Sequence, residues 1–175
     1  MDLASHQRIL LGLIRSTYEA GAEDSPYIHA VAKSRDLEEA RRNIYLWRVY
    51  VLERSCLLTM TLLRQRGQLE SVLADFTQQN LSPFRETQGP AFLDALRHHA
   101  DHLTASVAGF ELALLKVAKG DPCAYRVAWA IDPHPVLHSL CMNHPIDEGA
   151  PEEGYEIIVS RELPELFEIS RKLRG

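Results

Sequence analysis

The hydrophobic period of the chain changes at "KGDPC", residues 119–123, and that change limits the folds open to it. Upstream, apolar residues recur every three or four positions, the spacing of one helical face. Downstream, "AYRVAWAI" and "YEIIVSR" are short, rich in β-branched and aromatic residues and bounded by turn residues, so they read as strands. Helices followed by a small antiparallel sheet make an α+β architecture with segregated parts. The expected division is a helical domain at 1–120 and a small antiparallel β domain at 121–175.

Within the helical part, "DLASHQRILLGLIRSTYEAG" predicts a first helix with Leu3, Leu10, Ile14 and Thr17 on one side and Gly21 as its stop. Pro26 opens a short helical turn after the linker "AEDSPY". The segment "DLEEARRNIYLWRVYVLERSCLLTMTLLRQRG" carries Leu37, Ala40, Ile44, Trp47, Val51, Leu58 and Leu62 at spacings of three and four, with Asp36 as N-cap and Gly67 as terminator. Further apolar residues, Tyr45, Leu46, Val49, Leu52, Leu57 and Leu63, occupy its other faces. A helix apolar most of the way round is buried on several sides, so this is the expected central helix of a bundle, with room for one break.

"QLESVLADFTQQN" is the next expected helix and "LSPFRETQGP" a loop. From Phe92 through Leu96, His99, Leu103, Val107, Phe110 and Leu114 to Val117 the pattern predicts one long helix, or two in line, ending at Gly120. At the C-terminal end "LFEISRKL" pairs with "YEIIVSR" through the tight "ELPE" turn. Pro164 and the β-prone "FEI" disfavour the alternative of a terminal helix at 162–173.

Residues 132–145, "DPHPVLHSLCMNHP", hold three histidines and a cysteine. As a strand the segment shows Val136, His138, Leu140 and Met142 on one side, and His138 and Cys141 point apart. As a helix, His134, His138 and Cys141 share a face and a zinc site becomes possible. Pro133, Pro135 and Pro145 fit either reading, and a strand makes the more economical sheet. In "RHHADH", His98 and His102 stand one helical turn apart, but no glutamate follows His98 as the general base of HExxH does, and hydrogen-bonded structural histidines are the plainer reading.

The chain contains no GxGxxG, GxxxxGK[ST] or GxSxG, which removes the usual signatures of nucleotide binding and serine hydrolysis. Cys56 lies inside an apolar helix and is expected to be inert, and no lysine near Cys123 marks it as activated. The acidic stretches "DEGAPEE" and "ELPE" read as solvated turns. No catalytic residue is therefore expected. There is no apolar run of about 18 residues. The first residues lack a basic n-region and Arg15 interrupts their apolar stretch, so the expectation is a cytoplasmic protein with Cys56, Cys123 and Cys141 as reduced thiols. Charge is uneven. Residues 33–66 carry eight basic against four acidic side chains, and residues 121–175 five against ten. A strong nucleic-acid binder would show a basic stripe instead.

The pieces "ARRNIYLWRVY" (40–50), "LESVLADF" (69–76), "HPVLHSLCMNHPI" (134–146) and "YEIIVSR" follow one another as in a known family. In these the chain resembles the HvfC/BufC-like peptide-modification chaperones, whose N-terminal region carries the description of a DNA-binding domain. The likeness covers most of the chain through loose packing patterns, and the family's usual "YRNN" appears here as "YLWR". Methanobactin partner proteins are a more distant comparison. The resemblance implies a non-catalytic subunit that forms a heterodimer with a multinuclear non-haem iron oxidase acting on cysteines of ribosomally made precursor peptides. Iron would belong to the partner enzyme, and this chain would carry no cofactor or metal of its own. The resemblance also implies a strand at "HPVLHSL".

An extended precursor peptide can add to the free edge of a small sheet. The candidate edges are 134–142, through Val136, His138, Leu140 and Met142, or 155–161, through Tyr155, Ile157 and Val159. Arg41, Arg42 and Arg48 are candidates for the partner interface. Two other readings stand beside this one. The first is a DNA-binding regulator using Arg35, Arg41, Arg42 and Arg48. The second is a metal-binding protein using His98, His102, His134, His138 and His144.

Overall fold

Seven helices, a strand, an eighth helix and a two-stranded hairpin follow one another in the structure, a computed structural model that describes residues 2–80, 82, 84–147 and 154–171. Residues 148–153, most of the expected acidic turn, and 172–173 of the last expected strand lie outside the described residues. Helices come first and the sheet follows, the α+β order expected. No helix among the described residues is long and apolar enough to cross a membrane.

Helix α1 (Leu3–Ile14) is capped by Asp2, whose carboxylate accepts from Ser5 N at 2.7 Å. It stops well before Gly21, where Ser16 adopts a left-handed conformation (φ 56°), and the Leu13 carbonyl accepts from Ser16 N at 3.1 Å and from Arg41 Nε at 2.9 Å. Ser25 caps α2 (Pro26–Ala32) with Pro26 at its first position, as expected. Helix α3 (Arg35–Ser55) is capped by Ser34 rather than Asp36. The Ser34 hydroxyl accepts from Leu37 N at 3.2 Å, and Asp36 lies in the first turn, where its charge favours the helix dipole.

The long apolar segment breaks at Cys56 (φ −134°, ψ 50°), which separates α3 from α4 (Leu57–Gln65). The cause is tertiary. Gly89, on α6 (Arg85–Leu96), approaches so closely that a Cβ there would stand 2.8 Å from Ser55 Oγ. Gly67 (φ 65°) ends α4, and α5 (Leu69–Gln79) follows.

Residues 85–90 are helical rather than part of a loop. Gln88, Gly89, Phe92, Leu93 and Leu96 are buried at helical spacing, and this burial carries the helix through Pro90 despite the backbone donor lost there. Of the two readings for Phe92 to Gly120, one long helix or two in line, the chain forms two helices, dividing at 97–101 into α6 and α7 (His102–Ala118). Asp101 restarts the chain by accepting from Thr104 N at 2.7 Å. The two helices pack against each other through Phe92, Leu93 and Leu96 on one side and Ala108 and Leu112 on the other, not in line.

The central helix is α7. Ala108 and Leu112 face the helical core with Leu52, Leu63 and Leu73, while Val107, Phe110 and Val117 face the sheet. Helix α4 is buried as expected, but α3 leaves Ile44, Leu46, Trp47 and Tyr50 exposed.

The sheet is antiparallel in the order β1 (Tyr125–Trp129), β2 (Tyr155–Val159), β3 (Phe167–Arg171). The hairpin across "ELPE" forms as expected, with Tyr155 opposite Arg171 and Val159 opposite Phe167. Tyr155, Ile157 and Val159 alternate inward, and with Trp129 they share a core with Leu58 and Leu62 of α4 and Phe110 of α7.

Residues 133–141 form a helix, α8 (Pro133–Cys141), and not the expected strand. Asp132 accepts from His134 N at 2.9 Å, and Pro133 takes the first helical position, where a missing N–H leaves nothing unpaired. Pro133, Val136 and Leu140 are buried at spacings of three and four, while His138 and Met142 are exposed. A strand would have put Val136, His138, Leu140 and Met142 on one face. The packing obeys the helical period instead.

Candidate functional site

The helix at 133–141 and the central position of β2 remove both expected peptide edges. Val136, His138 and Leu140 sit in α8 and Met142 is its C-cap residue, so none offers free strand edge. Tyr155, Ile157 and Val159 belong to a strand hydrogen-bonded on both sides and are themselves buried. Among the described residues the open edges belong to β1 and β3.

The outer edge of β1 borders a groove of about 350 Å3 between the strand and α7. An antiparallel edge strand turns both the N–H and the C=O of every second residue outward. At about 3.4 Å per residue, the five residues of β1 present roughly 17 Å of such edge. Helix α7 is held over the sheet by Phe110, whose ring meets Trp129 edge-on at 6.5 Å and Phe167 at 5.2 Å. Gly109 faces Val127, where even a Cβ would already touch Val127 Cγ1 at 3.5 Å, so helix and strand lie close. Ser106 Oγ donates to the carbonyl of Ala128 at 2.8 Å and ties α7 to β1. That bond uses the hydroxyl proton, so Ser106 is placed as an anchor and not as a nucleophile.

The groove is rimmed by cationic and imidazole groups: Arg97, His98, His102, Lys116 and Arg126. Arg97 pairs with Asp94 at 2.8 Å and Arg126 with Glu156 at 2.6 Å. Lys116 Nζ stands 5.2 Å from the centre of the Tyr125 ring, a cation–π distance. Tyr125 OH donates to Asp121 at 2.6 Å, and that bond, together with burial and the Asp121 charge, pushes the phenol up to about 12. The same bond, with that from Cys123 N, holds Asp121 below the usual carboxylate range. The phenol stays protonated at physiological pH.

His98 and His102 line the same groove, but not as neighbours one turn apart on a helix, because the chain breaks between them. Both are exposed, and His99 Nδ1 accepts from Asp101 N at 3.1 Å. His134, His138 and Cys141 are exposed on α8, and His144 follows it. Among the described residues no group of three or more His, Cys, Asp or Glu side chains is placed to hold a metal ion.

Of the three candidate interface arginines, two are engaged within the chain. Arg41 closes the C-terminus of α1, and Arg48, 8% exposed, donates to the carbonyls of Thr77 (3.2 Å) and Asn80 (2.7 Å) at the end of α5. Burial, and secondarily the Arg15 charge, lower Arg48 below its usual value. Arg42 is exposed. Cys56 is fully buried, its thiol pushed up to about 12 chiefly by burial. Cys123 is exposed, but its bond to Asp121 raises it, so neither is an activated nucleophile.

Sequence reasoning overlooked β1 as the exposed edge, and with it Ser106, Lys116 and Arg126. The alternation in "YRVAW", of Tyr125, Val127 and Trp129 with Arg126 and Ala128, marks a strand with one solvated face but does not tell which edge is open. Comparison with protein-family models, with curated proteins and with solved structures yields no significant match.

Proposed function

We propose that this chain is the non-catalytic partner subunit of a multinuclear non-haem iron oxidase and holds an extended precursor peptide along the outer edge of β1. The observation that carries the peptide-holding part is the outer edge of β1, unpaired except where Ser106 takes the Ala128 carbonyl, beside a groove of about 350 Å3 rimmed by Arg97, Lys116 and Arg126. Main-chain pairing with that edge supplies affinity that is indifferent to sequence, and the groove beside it selects side chains. Lys116, His98 and His102 favour a segment with acidic groups on the side facing α7.

The partner role is supported by the resemblance to the peptide-modification chaperones. Three of its segments fall on α3 (40–50), α5 (69–76) and β2 (155–161), while the fourth, at 134–146, is helical where the resemblance implied a strand. In this reading the iron and the cysteine chemistry belong to the oxidase. Exposed Leu46 and the accessible Arg42 of α3 supply surface for protein contact.

The test is to use the tagged full-length chain as bait in its own cells, identify the stoichiometric partner and measure its metal. The expected result is a heterodimer with an iron-containing oxidase, and a tag-free chain that carries no stoichiometric metal when isolated. A transition metal held stoichiometrically by the isolated chain and lost in a His98→Ala/His102→Ala variant would overturn the reading. So would tight, salt-sensitive DNA binding with no oxidase partner.

A further inference from the structure

A second concavity lies where α1, α3 and α5 meet, and it has about 560 Å3 of open volume. That is within the range of ligand pockets, roughly 300–1,000 Å3. Its walls are apolar, with Leu11, Ile44 and Trp47 at 43%, 41% and 40% exposure on the rim. Three guanidinium groups, those of Arg15, Arg41 and Arg48, line it, and among the described residues no carboxylate does. Arg41 and Arg48 are fixed by their bonds to the carbonyls of Leu13, Thr77 and Asn80, so they are preorganised and retain further N–H donors. The Arg15 guanidinium makes no hydrogen bond or ion pair among the described residues.

Like charges gathered without a counter-ion in an apolar setting call for an anionic ligand. The ligand must also be longer than the pocket. Ile44, Trp47 and Tyr50 form an exposed stripe at three-residue spacing that runs about 9 Å along α3 past the pocket mouth. Arg54 lies over the Tyr50 ring at 4.5 Å and extends the same positive, apolar surface. A compact anion would leave that stripe bare.

We infer that the α1–α3–α5 pocket docks an acidic, apolar peptide segment, with a carboxylate among Arg15, Arg41 and Arg48 and bulky apolar side chains against Leu11, Ile44 and Trp47. This site is separate from the β1 edge and stands independently of the partner-subunit reading. Arg15 supplies the free charge. Trp47 supplies the flat apolar contact that such anchors favour.

The experiment is fluorescence polarisation of the full-length chain with labelled probe peptides. The first alternates glutamate with leucine and phenylalanine. The second has lysine for glutamate, and the third has alanine for the apolar residues. The first peptide is expected to bind in a salt-sensitive way, and the other two at least about tenfold more weakly. Arg15→Glu and Trp47→Ala, both at exposed or half-exposed positions, are each expected to weaken the first peptide by at least about tenfold, with an unchanged circular dichroism spectrum. Equal binding of the lysine peptide, or unchanged affinity in the folded Arg15→Glu variant, overturns the inference. Displacement of the peptide by decanoate at equal concentration also overturns it, because the site would then select a fatty carboxylate and not a peptide.

Discussion

Glu111 Oε2 accepts the backbone N–H of Thr59 at 2.9 Å, across 52 positions of sequence. Its other oxygen takes Leu58 N at the same distance, so one buried carboxylate on the central helix closes the N-terminus of α4 just after the break at Cys56. No side chain of α4's own N-cap residue does this. The contact joins the helical core to the helix that carries the sheet, and hence to the groove beside β1.

Removal of that carboxylate leaves two buried N–H groups without partners. Glu111→Ala is expected to lower stability by about 2–4 kcal/mol. For a chain of this length that is a fall in Tm of about 5–15 °C, measurable by calorimetry. A change near zero would mean that α4 is capped in some other way.

The same residue sets a pH dependence. Burial raises the Glu111 carboxyl above its ordinary 4.5, more than the bonds from Thr59 and Leu58 lower it. The native state therefore binds this proton more tightly than the unfolded chain does. Its contribution is fully present below about 4.5 and is lost as pH rises through the higher native value. The stability of the wild type relative to Glu111→Gln should accordingly fall as pH is raised above that point. Chemical denaturation across pH checks the sign, and a difference that grows with pH would contradict it.

Arg48 and Arg42 should behave oppositely although both stand in "ARRNIYLWRVY". Arg48→Ala removes the group that closes the end of α5 and should cost about 2–3 kcal/mol, with Lys restoring only part of it. Arg42→Ala, at an exposed position, should change stability by less than about 0.5 kcal/mol. Urea denaturation of the variants compares them directly.

Thiol labelling of the native chain should reach Cys123 and Cys141 and spare Cys56 until the chain unfolds. Asp121→Asn should accelerate labelling of Cys123 several-fold at about pH 8, because the bond and charge that raise its thiol are removed. An unchanged rate would separate the reactivity of Cys123 from Asp121.

Much of the architecture was legible where local chemistry and long-range packing agree. The change of period at 119–123, the hairpin over "ELPE", the Pro26 turn and the stop at Gly67 all rest on residues a few positions apart. One break in the long apolar segment was allowed for, but its place at Cys56 was not legible, because Gly89 and Glu111 impose it from more than thirty positions away. Helix through Pro90 likewise reflects burial of Phe92 and Leu93 winning over a local breaker. At 132–141 the local signal was there and was outweighed by sheet economy. Asp followed by Pro is a cap and a first helical position, and Val136 and Leu140 repeat at four. Strand order is a tertiary property, so the exposed edge could not be assigned to β1 from residue types, and the central place of Tyr155, Ile157 and Val159 went unseen.

If the peptide pairs with β1 through its main chain, N-methylation at alternate residues of the bound segment should act in two phases. Methyl groups on amides that face β1 should weaken binding by about tenfold or more, and those on the intervening amides should have little effect. Titration of such a peptide series reads this pattern. Uniform sensitivity would place recognition in the side chains instead.

The most direct measurement is amide hydrogen exchange along 125–129 in the complex recovered with this chain as bait, compared with the free chain. Docking of an extended peptide predicts slowed exchange at the outward-facing amides of β1, with β2, already paired on both sides, unchanged. Exchange at β1 as fast in the complex as in the free chain, with protection confined to other surfaces, would contradict it.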